Sequence, residues 1–338
     1  MTVKAWLIEN DDGIDALTLT DVEIGDPGPG EVRVKMRTSS INRRDMNTVI
    51  APSARNTPLP RIPNSDGAGE VVAVGANVTE FKPGDRVASC FFKRWQAGRI
   101  SAAVMASALG GAEEGMLSEE TILPEGALVH LPDHLSWDEA GTLTCAGVTA
   151  WHGLIARGEL KAGDTVLLLG TGGVSIFGLQ FAKMMGARVI ITSKSGEKLE
   201  RARALGADET INYAETPDWD NAAMDLTGGV GVDHVLEVGG AGTIQKSVGA
   251  LAFGGHIALI GVLTKGELNP LPLMGKSGRI SGIYVGSREM FQNMNAAIGV
   301  NGMKPVIDRT FDFDDARAAY HCMQSDSHFG KIVIRTGA

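Results

Sequence analysis

Residues 165–175, with the sequence TVLLLGTGGVS, decide the predicted fold class. The apolar run 165–169 is typical of a strand that is buried on both faces of a parallel sheet. A glycine-rich turn from Gly170 to Ser175 follows and opens a helix predicted over residues 174–185. A strand, a glycine-rich turn and a helix in this order form the dinucleotide-binding pattern, in which N–H groups of the helix hold a pyrophosphate.

The positions of this turn have separate roles in that pattern. Gly170 allows the tight turn, and Gly172 lets the backbone approach a pyrophosphate. A third glycine normally allows the helix to pack closely on the strand, but this chain has Ser175 at that place. The alternative interpretation is an ordinary glycine-rich connection. We favour nucleotide binding because the strand and the helix that the pattern requires are both predicted.

Strands and helices alternate along the rest of the chain's second half. The predicted strands are residues 188–193, 209–212, 232–238, 256–261, 280–286 and 331–335, and the predicted helices are 137–155, 197–205, 243–251, 288–299 and 313–323. This alternation predicts an α/β fold with a doubly wound parallel Rossmann sheet. The first part differs, since short β-rich runs at 3–8, 31–37 and 69–74 are followed by a long surface loop at 93–120.

The end of the second strand of this sheet predicts which dinucleotide binds. NAD-specific sites place an acidic residue there, which accepts a hydrogen bond from the ribose 2′-hydroxyl. This chain instead has Ser193, Lys194 and Ser195, with Lys198 one helical turn beyond and no acidic residue before Glu197. Hydroxyl and ammonium groups suit a 2′-phosphate, so we expect NADP(H). The alternative is that the two serines only cap the following helix.

Composition excludes several classes of partner. The formal net charge of −9 argues against nucleic acid or an anionic membrane as the main partner. The three cysteines are far apart in sequence, so no disulfide framework is expected. No apolar run approaches the length of a membrane span, and the first residues have no signal-peptide pattern. We therefore expect a cytoplasmic protein of 338 residues with about two domains.

Several short motifs occur in a specific order from one end of the chain to the other. They are residues 42–45 (NRRD), 64–71 (NSDGAGEV), 82–87 (KPGDRV), 149–151 (TAW), 205–208 (LGAD), and Gly330 with Lys331. With the glycine turn among them, the chain resembles the medium-chain dehydrogenase/reductase superfamily. Within it, the chain is similar to the zinc-independent branch of quinone-oxidoreductase-like and alcohol-dehydrogenase-like proteins.

The resemblance implies a domain organisation. Residues 1–125 and 270–338 would form a GroES-like, β-rich catalytic domain, and residues 126–269 would form the Rossmann domain. The active site would lie in the cleft between the two domains. The predicted strand 280–286 would pair with its copy in a homodimer.

The resemblance also implies contacts along the whole cofactor. The pyrophosphate contacts would be Gly170, Gly172, Gly173 and Val174, and the adenosine contacts would be Ser193, Lys194, Lys198 and Tyr213. Gly239, Ile260, Gly261 and Val262 would line the cofactor's path. Tyr284 and Val285 would flank the nicotinamide, with Ser287, Arg288 and Lys331 nearby. The alternative for Arg288 and Lys331 is that both are ordinary surface charges.

Zinc is not expected. Zinc-dependent members of the superfamily have a cysteine near Asn42 and Gly-His-Glu at the place of Ser65-Asp66-Gly67. Cys145 alone matches a ligand position, and a catalytic zinc needs three protein ligands. A structural zinc lobe needs four clustered cysteines, and residues 90–125 contain only Cys90.

Hydride transfer without zinc requires groups that stabilise a developing oxyanion and deliver a proton. Asn42 and Thr149 are the candidates for the oxyanion contact, and Asp45 and Asp66 for the proton relay. The alternatives are that Asp45 caps a helix and that Asp66 bonds to local backbone. Four aromatic residues could line an apolar substrate pocket or simply fill the core: Phe91, Phe92, Trp95 and Trp151.

The predicted function is NADPH-dependent reduction of a small apolar carbonyl compound or quinone, reversible with alcohols. One alternative is reduction of a conjugated C=C bond, which is less favoured because the N-terminal part of the chain contains no tyrosine to act as an acid. A second alternative is a non-catalytic NADPH-binding scaffold.

Overall fold

The computed structural model describes residues 1–261 and 263–337, which form two compact units. Met1–Val148 and Gly286–Ala338 belong to the first, here called the β-rich unit. Thr149–Val285 form the second, here called the parallel-sheet unit. Within the described residues, none of the helices has the length and apolar composition needed to cross a bilayer.

The strands, in chain order, are β1 (Thr2–Leu7), β2 (Thr18–Glu23), β3 (Glu31–Ile41), β4 (Asp66–Val74), β5 (Arg86–Ser89), β6 (Glu120–Pro124), β7 (Leu128–His130), β8 (Thr165–Leu168), β9 (Arg188–Ser193), β10 (Glu209–Asn212), β11 (Val232–Glu237), β12 (Leu251–Leu259), β13 (Arg279–Gly282), β14 (Ile307–Asp312) and β15 (Lys331–Arg335).

The α-helices are α1 (Arg43–Ile50), α2 (Ala102–Met105), α3 (Trp137–Ala140), α4 (Val148–Trp151), α5 (Gly173–Met184), α6 (Gly196–Ala204), α7 (Trp219–Leu226), α8 (Ile244–Ala250), α9 (Leu271–Gly275), α10 (Arg288–Asn301) and α11 (Ala316–Gln324). Two π-helical segments, Leu143–Gly147 and His152–Ala156, flank α4.

The main sheet of the β-rich unit brings three distant parts of the chain together. Its strand order is β14-β15-β3-β4-β5-β7, with β6 also paired to β3. In the antiparallel pairing of β3 with β4, Ser40 lies opposite Asp66, and Ile41 lies opposite Ile332 of β15. The end of β3 therefore meets the starts of β4 and β15. Alternating buried residues of β3, such as Val32, Val34 and Met36, pack into one of the unit's cores.

The parallel-sheet unit contains six parallel strands in the order β10-β9-β8-β11-β12-β13. The order reverses between β8 and β11, which is the switch point where doubly wound sheets bind nucleotides. The central strands are almost wholly buried because helices cover both faces. The predicted combination of a doubly wound sheet with a β-rich part is confirmed.

Several element boundaries differ from those predicted. The strands at 188–193 and 331–335 have the predicted bounds, but β3 continues to Ile41 and β13 ends at Gly282. The helix predicted over 137–155 is divided among α3, α4 and the two π-helical segments. The elements that were not predicted are β2, β6, β7, β14, α2, α7 and α9.

Candidate functional site

The glycine turn after β8 leaves room at the carboxyl edge of the parallel sheet. Gly170 has a φ of +72°, in the left-handed region that favours glycine. A Cβ atom built on Gly170 or Gly172 would meet no atom within 4 Å. Gly172 is the N-cap of α5 and has no side chain with which to cap the first N–H groups of the helix. Uncapped N–H groups beside open space suit a pyrophosphate.

Close packing of α5 on the sheet takes place at a residue that the sequence analysis missed. Ser175 is buried and donates its hydroxyl hydrogen to the Leu169 carbonyl at 2.7 Å, which satisfies the polar group there. A Cβ on Gly178 would lie 2.5 Å from Leu236 Cδ1 and 3.0 Å from Leu168 Cδ2. Gly178 is therefore the glycine that lets this helix approach the strands. Its place inside the apolar helical sequence could have indicated this.

The end of β9 combines local capping with an exposed cation. Ser193 Oγ accepts a bond from Ser195 N at 3.2 Å, and Ser195 Oγ caps α6 by accepting from Lys198 N at 3.3 Å. Ser195 thus has the capping role that was the alternative interpretation, whereas Ser193 supports the N-cap residue and not the helix itself. Lys194 is exposed between them, and Tyr213, whose N–H bonds to the Ser193 carbonyl, is partly exposed.

A buried carboxylate organises the loops that follow β11 and β12, and the sequence analysis missed it. Glu237 Oε1 accepts bonds from Gly239 N, Gly240 N and Thr243 Oγ1 at 2.6–2.9 Å. The Glu237 carbonyl accepts bonds from the N–H groups of Ile260 and Gly261. Gly261 could not carry a side chain, because a Cβ there would lie 1.7 Å from the Val238 carbonyl oxygen. Val262, also predicted to contact cofactor, lies outside the described residues.

The segment after β13 carries the residues predicted to flank the nicotinamide. Tyr284 is 46% exposed, whereas Val285 is buried and has a φ of +51°. Ser287 and Arg288 belong to the β-rich unit, where Ser287 caps α10. Arg288 donates from Nε to the Leu128 carbonyl at 2.8 Å and pairs with Glu80. Arg288 is therefore held in a partly exposed ion pair, and its proximity to the nicotinamide stays a prediction.

A buried polar cluster forms where β3, β4 and β15 meet in the β-rich unit. Lys331 is only 2% exposed, so its interpretation as a surface charge is also wrong. Its ammonium donates to Asn42 Oδ1 at 2.6 Å and to the Ile41 carbonyl at 3.0 Å, and it lies 3.5 Å from Asp66 Oδ2. The register of the three strands brings these residues together from opposite ends of the chain.

The two carboxylates of this cluster have different partners. Asp66 begins β4 rather than lying in a turn, and it accepts hydroxyl hydrogens from Ser40 at 2.9 Å and Ser65 at 2.8 Å. Burial raises the pKa of the Asp66 carboxyl, although the nearby Lys331 ammonium opposes that rise. Asp45 instead accepts from N–H donors: Asn42 N at 2.8 Å, Asn42 Nδ2 at 3.1 Å and Arg44 Nη1 at 2.9 Å.

Asp45 therefore has the capping role that was its alternative interpretation. It is the third residue of α1, and its carboxylate forms a capping box with Asn42. Arg44 extends the cluster by donating to the Leu109 carbonyl at 2.7 Å and stacking over Phe91. Phe91, Phe92 and Trp95 are buried and pack against one another in the β-rich unit.

The remaining predicted residues lie in the other unit. Thr149 is buried on α4, and Trp151 packs edge-on against Phe181 of α5. Each unit therefore holds its own part of the predicted set. Asn42, Asp45, Asp66 and Lys331 come together in one unit, and the glycine turn, the β9 end and Thr149 belong to the other.

The polar cluster does not fit a catalytic zinc. Within residues 1–261 and 263–337, no three His, Cys, Asp or Glu side chains are grouped so that they could hold a metal ion. Cys145 is buried, and this burial raises the pKa of its thiol, whereas a zinc ligand must be a thiolate. The Lys331 ammonium, bonded to Asn42, is a fixed positive charge that would repel a metal cation.

Comparison with known proteins gives matches along nearly the whole chain. Residues 28–133 match the family described as "Alcohol dehydrogenase GroES-like domain", and residues 173–299 match "Zinc-binding dehydrogenase". A zinc-type alcohol dehydrogenase-like protein of Schizosaccharomyces pombe is 42% identical over 334 residues, which cover 96% of each chain. A quinone oxidoreductase of Pseudomonas aeruginosa is 35% identical over 254 residues, covering 74% of this chain and 70% of its own.

A solved structure is similar over the same extent. The crystal structure of an NAD-dependent alcohol dehydrogenase is 32% identical and superposes with a TM-score of 0.90. The superposition covers 99% of this chain and 100% of that one.

Proposed function

Since the chain belongs to the medium-chain dehydrogenase/reductase superfamily, we propose that it uses NADP(H) and works without zinc. It is an oxidoreductase of the alcohol dehydrogenase and quinone oxidoreductase type. The proposed reaction interconverts a small apolar carbonyl compound or quinone and its reduced form. The observation that carries this proposal is the buried Lys331–Asn42–Asp66 cluster, where zinc-dependent relatives would need metal ligands. We also propose that the β-rich unit supplies the substrate-binding groups and the parallel-sheet unit binds the dinucleotide.

Two features support NADP(H) over NAD(H). Lys194 is exposed at the end of β9, beside the capped N-terminus of α6, where an ammonium can pair with a 2′-phosphate. No acidic residue stands between Ser193 and Glu197, so nothing in that stretch repels the phosphate. The pyrophosphate would be held by Gly172, Gly173 and Val174 at the N-terminus of α5. When bound, the nicotinamide supplies or accepts the hydride.

Asn42 is the group proposed to stabilise negative charge on the substrate oxygen. Its amide has two N–H hydrogens, and the bond to Asp45 uses one of them. The Asn42 side chain also hydrogen-bonds to the Asp66 carboxyl, so we propose that the substrate oxygen replaces one of these two carboxylate partners when it binds. The Lys331 ammonium on Asn42 Oδ1 strengthens that donation by polarising the amide. We place Thr149 as an additional hydroxyl donor.

Asp66, rather than Asp45, is proposed to relay the proton. Hydroxyl groups both donate and accept, and Asp66 is bonded to the hydroxyls of Ser40 and Ser65. Asp45 is bonded instead to amide and guanidinium N–H groups, which hold it in place but do not pass protons on. The raised pKa of Asp66 also favours its taking up a proton.

We further propose that the protein is a homodimer that pairs through β13. This strand is at the edge of the six-stranded sheet, and an unpaired edge is a template for pairing with a second chain. Large apolar side chains of the same unit are exposed, among them Phe253 at 80% and Met274 at 71%. Exposed apolar groups of this size are typical of interaction surfaces.

Turnover measurements test the proposed chemistry. The purified protein, dialysed against a strong zinc chelator, is assayed with NADPH on a panel of apolar aldehydes, quinones and enones, and the products are identified. We expect turnover of aldehydes or quinones that is unaffected by the chelator, with the C=C bond of an enone retained in the allylic alcohol. Activity that the chelator abolishes and zinc restores would overturn zinc independence, and a saturated ketone as the product would establish the C=C alternative.

A further inference from the structure

Val285 has an unusual backbone conformation. Among the described residues, seven non-glycine residues have a positive φ, and Val285 is the β-branched one. Left-handed backbone is disfavoured most for β-branched side chains, because the branched Cβ crowds the neighbouring peptide groups. Val285 is also buried, so packing must hold it in this conformation. Conformations of this kind persist only where surrounding groups impose them.

His152 is hydrogen-bonded to the carbonyl group of this residue. Its Nδ1 lies 2.6 Å from the Val285 carbonyl oxygen. A carbonyl oxygen can only accept, so Nδ1 carries the hydrogen in this bond. His152 is 4% exposed, and its burial lowers the pKa of the imidazole and favours the neutral ring. It begins the π-helical segment His152–Ala156, and such segments often occur at functional sites.

Both residues lie near the points where the chain enters and leaves the parallel-sheet unit. Thr149 is the first residue of that unit and Val285 is the last. Val285 directly follows Tyr284, whose side chain is 46% exposed, so the backbone at Val285 adjoins the peptide of this exposed residue. This segment follows the carboxyl end of β13, at the edge of the sheet that also carries the glycine turn.

With the proposed function, the strand order puts this segment on the side of the switch point where the nicotinamide half of a dinucleotide would lie. The end of β9 lies on one side of the switch point and carries the groups proposed for the adenosine end. The other mononucleotide must then extend over β11, β12 and β13. Tyr284 and Val285 follow the last of these strands, so their backbone forms part of the surface that the nicotinamide would meet.

We propose that His152 is a positioning residue for nicotinamide binding, because its Nδ1–H bond holds Val285 in the left-handed conformation that shapes this surface. The inference rests on the proposed function, since it assumes that a nicotinamide dinucleotide binds at the carboxyl edge of the sheet. It adds a specific role for a buried histidine, which would act through the Val285 backbone.

Binding measurements with five variants test this role. The ligands are the nicotinamide dinucleotide that the wild type binds more tightly and its nicotinamide-free counterpart, ADP-ribose or 2′-phospho-ADP-ribose. We expect His152→Leu to weaken dinucleotide binding about tenfold, which corresponds to the loss of one hydrogen bond, and to leave the nicotinamide-free ligand unaffected. In a Val285→Gly background, His152→Leu should weaken dinucleotide binding less than about twofold, because glycine adopts a positive φ without a stabilising hydrogen bond.

Two amide variants keep the test valid if His152→Leu does not fold. The Asn Nδ2 reaches the position of His Nδ1, so His152→Asn should bind like the wild type, whereas His152→Gln should resemble His152→Leu. Circular dichroism would show that each variant is folded. Unchanged dinucleotide binding in His152→Leu and His152→Gln, or equal weakening of both ligands, would overturn the inference. Failure of the wild type to bind any dinucleotide would overturn the proposed function itself.

Discussion

The residue with the largest proposed effect on the β-rich unit is Lys331. Its ammonium is buried against Asn42 and Asp66, so Lys331→Met would leave the Asp66 carboxylate without its counter-charge. Breaking a buried ion pair on one side costs about 3–5 kcal/mol of unfolding free energy. We expect a loss of this order in chemical denaturation, together with a large fall in kcat.

Two further variants test the cause of that loss. Lys82→Met removes an exposed lysine of the same unit and should change the unfolding free energy by less than about 0.5 kcal/mol. Adding Asp66→Asn to Lys331→Met should restore part of the lost stability, because no unpaired charge remains buried. If Lys331→Met were as stable as Lys82→Met, the buried pair would not have the proposed importance.

His256 makes the parallel-sheet unit sensitive to acid. It is 1% exposed on β12, and burial, assisted by Arg279 and His234, lowers the pKa of its imidazole from 6.5 to about 4. Between pH 6.5 and 4, the His256 imidazole is therefore protonated in the unfolded chain but mostly neutral in the folded chain. The contribution of neutral His256 to the unfolding free energy is therefore fully present above pH 6.5 and is lost as the pH falls from 6.5 towards 4.

The expected loss over this interval is roughly 3 kcal/mol, from about 1.4 kcal/mol for each pKa unit. Urea denaturation of the wild type and of His256→Phe at several pH values would measure it. The control is His321→Phe, which removes an exposed histidine whose ring pairs with Asp15 on the surface. We expect the difference in unfolding free energy between pH 7 and pH 4.5 to be smaller in His256→Phe than in the wild type, and unchanged in His321→Phe. An undiminished difference would show that another group is responsible.

At the scale of elements, the contact of α5 with the sheet depends on Gly178. A methyl group there would lie 2.5 Å from Leu236 Cδ1, so Gly178→Ala must push the helix away from the strands. Overpacking of this kind costs about 1–3 kcal/mol. Thermal unfolding would report it, and dinucleotide binding should weaken as well because the helix N-terminus moves.

Gly299 in α10 provides the matched control for this change. A Cβ on Gly299 would meet nothing within 4 Å, so Gly299→Ala should stabilise the helix by about 0.5–1 kcal/mol. The two substitutions are chemically identical but should have opposite signs. Equal effects would mean that helix propensity, rather than close packing, decides the result at Gly178.

Elements differ in how well their sequences predict them. The buried strand, glycine turn and α5 were predicted because each has a local pattern, and strands 188–193 and 331–335 have the predicted bounds. The end of β13 was predicted too far along the chain, since the strand ends at Gly282 and the backbone turns left-handed at Val285, a conformation that a valine does not predict. The helix α7 was missed although its core-packing residues Trp219, Ala222, Ala223 and Leu226 follow the helical period over two turns.

At the scale of the whole molecule, the sequence identifies the family and the binding turn but not the polar network. Lys331 was selected as a cofactor contact, and its contact with Asn42 depends on strand register between the two ends of the chain. The buried Glu237, which organises two loops, has no motif of its own. Contacts that join distant segments are set by tertiary packing, and short-range patterns carry little information about them.

The central claim for the molecule is that it binds NADP(H) through Lys194 and the end of β9. Calorimetric titration of the chelator-treated protein with NADPH and NADH tests this claim most directly. The titration is repeated on Lys194→Glu and on Lys161→Glu, a control at another exposed lysine. The account predicts tighter binding of NADPH by the wild type and by Lys161→Glu, and loss of that preference in Lys194→Glu. Equal affinities, or a preference for NADH in the wild type, would contradict it.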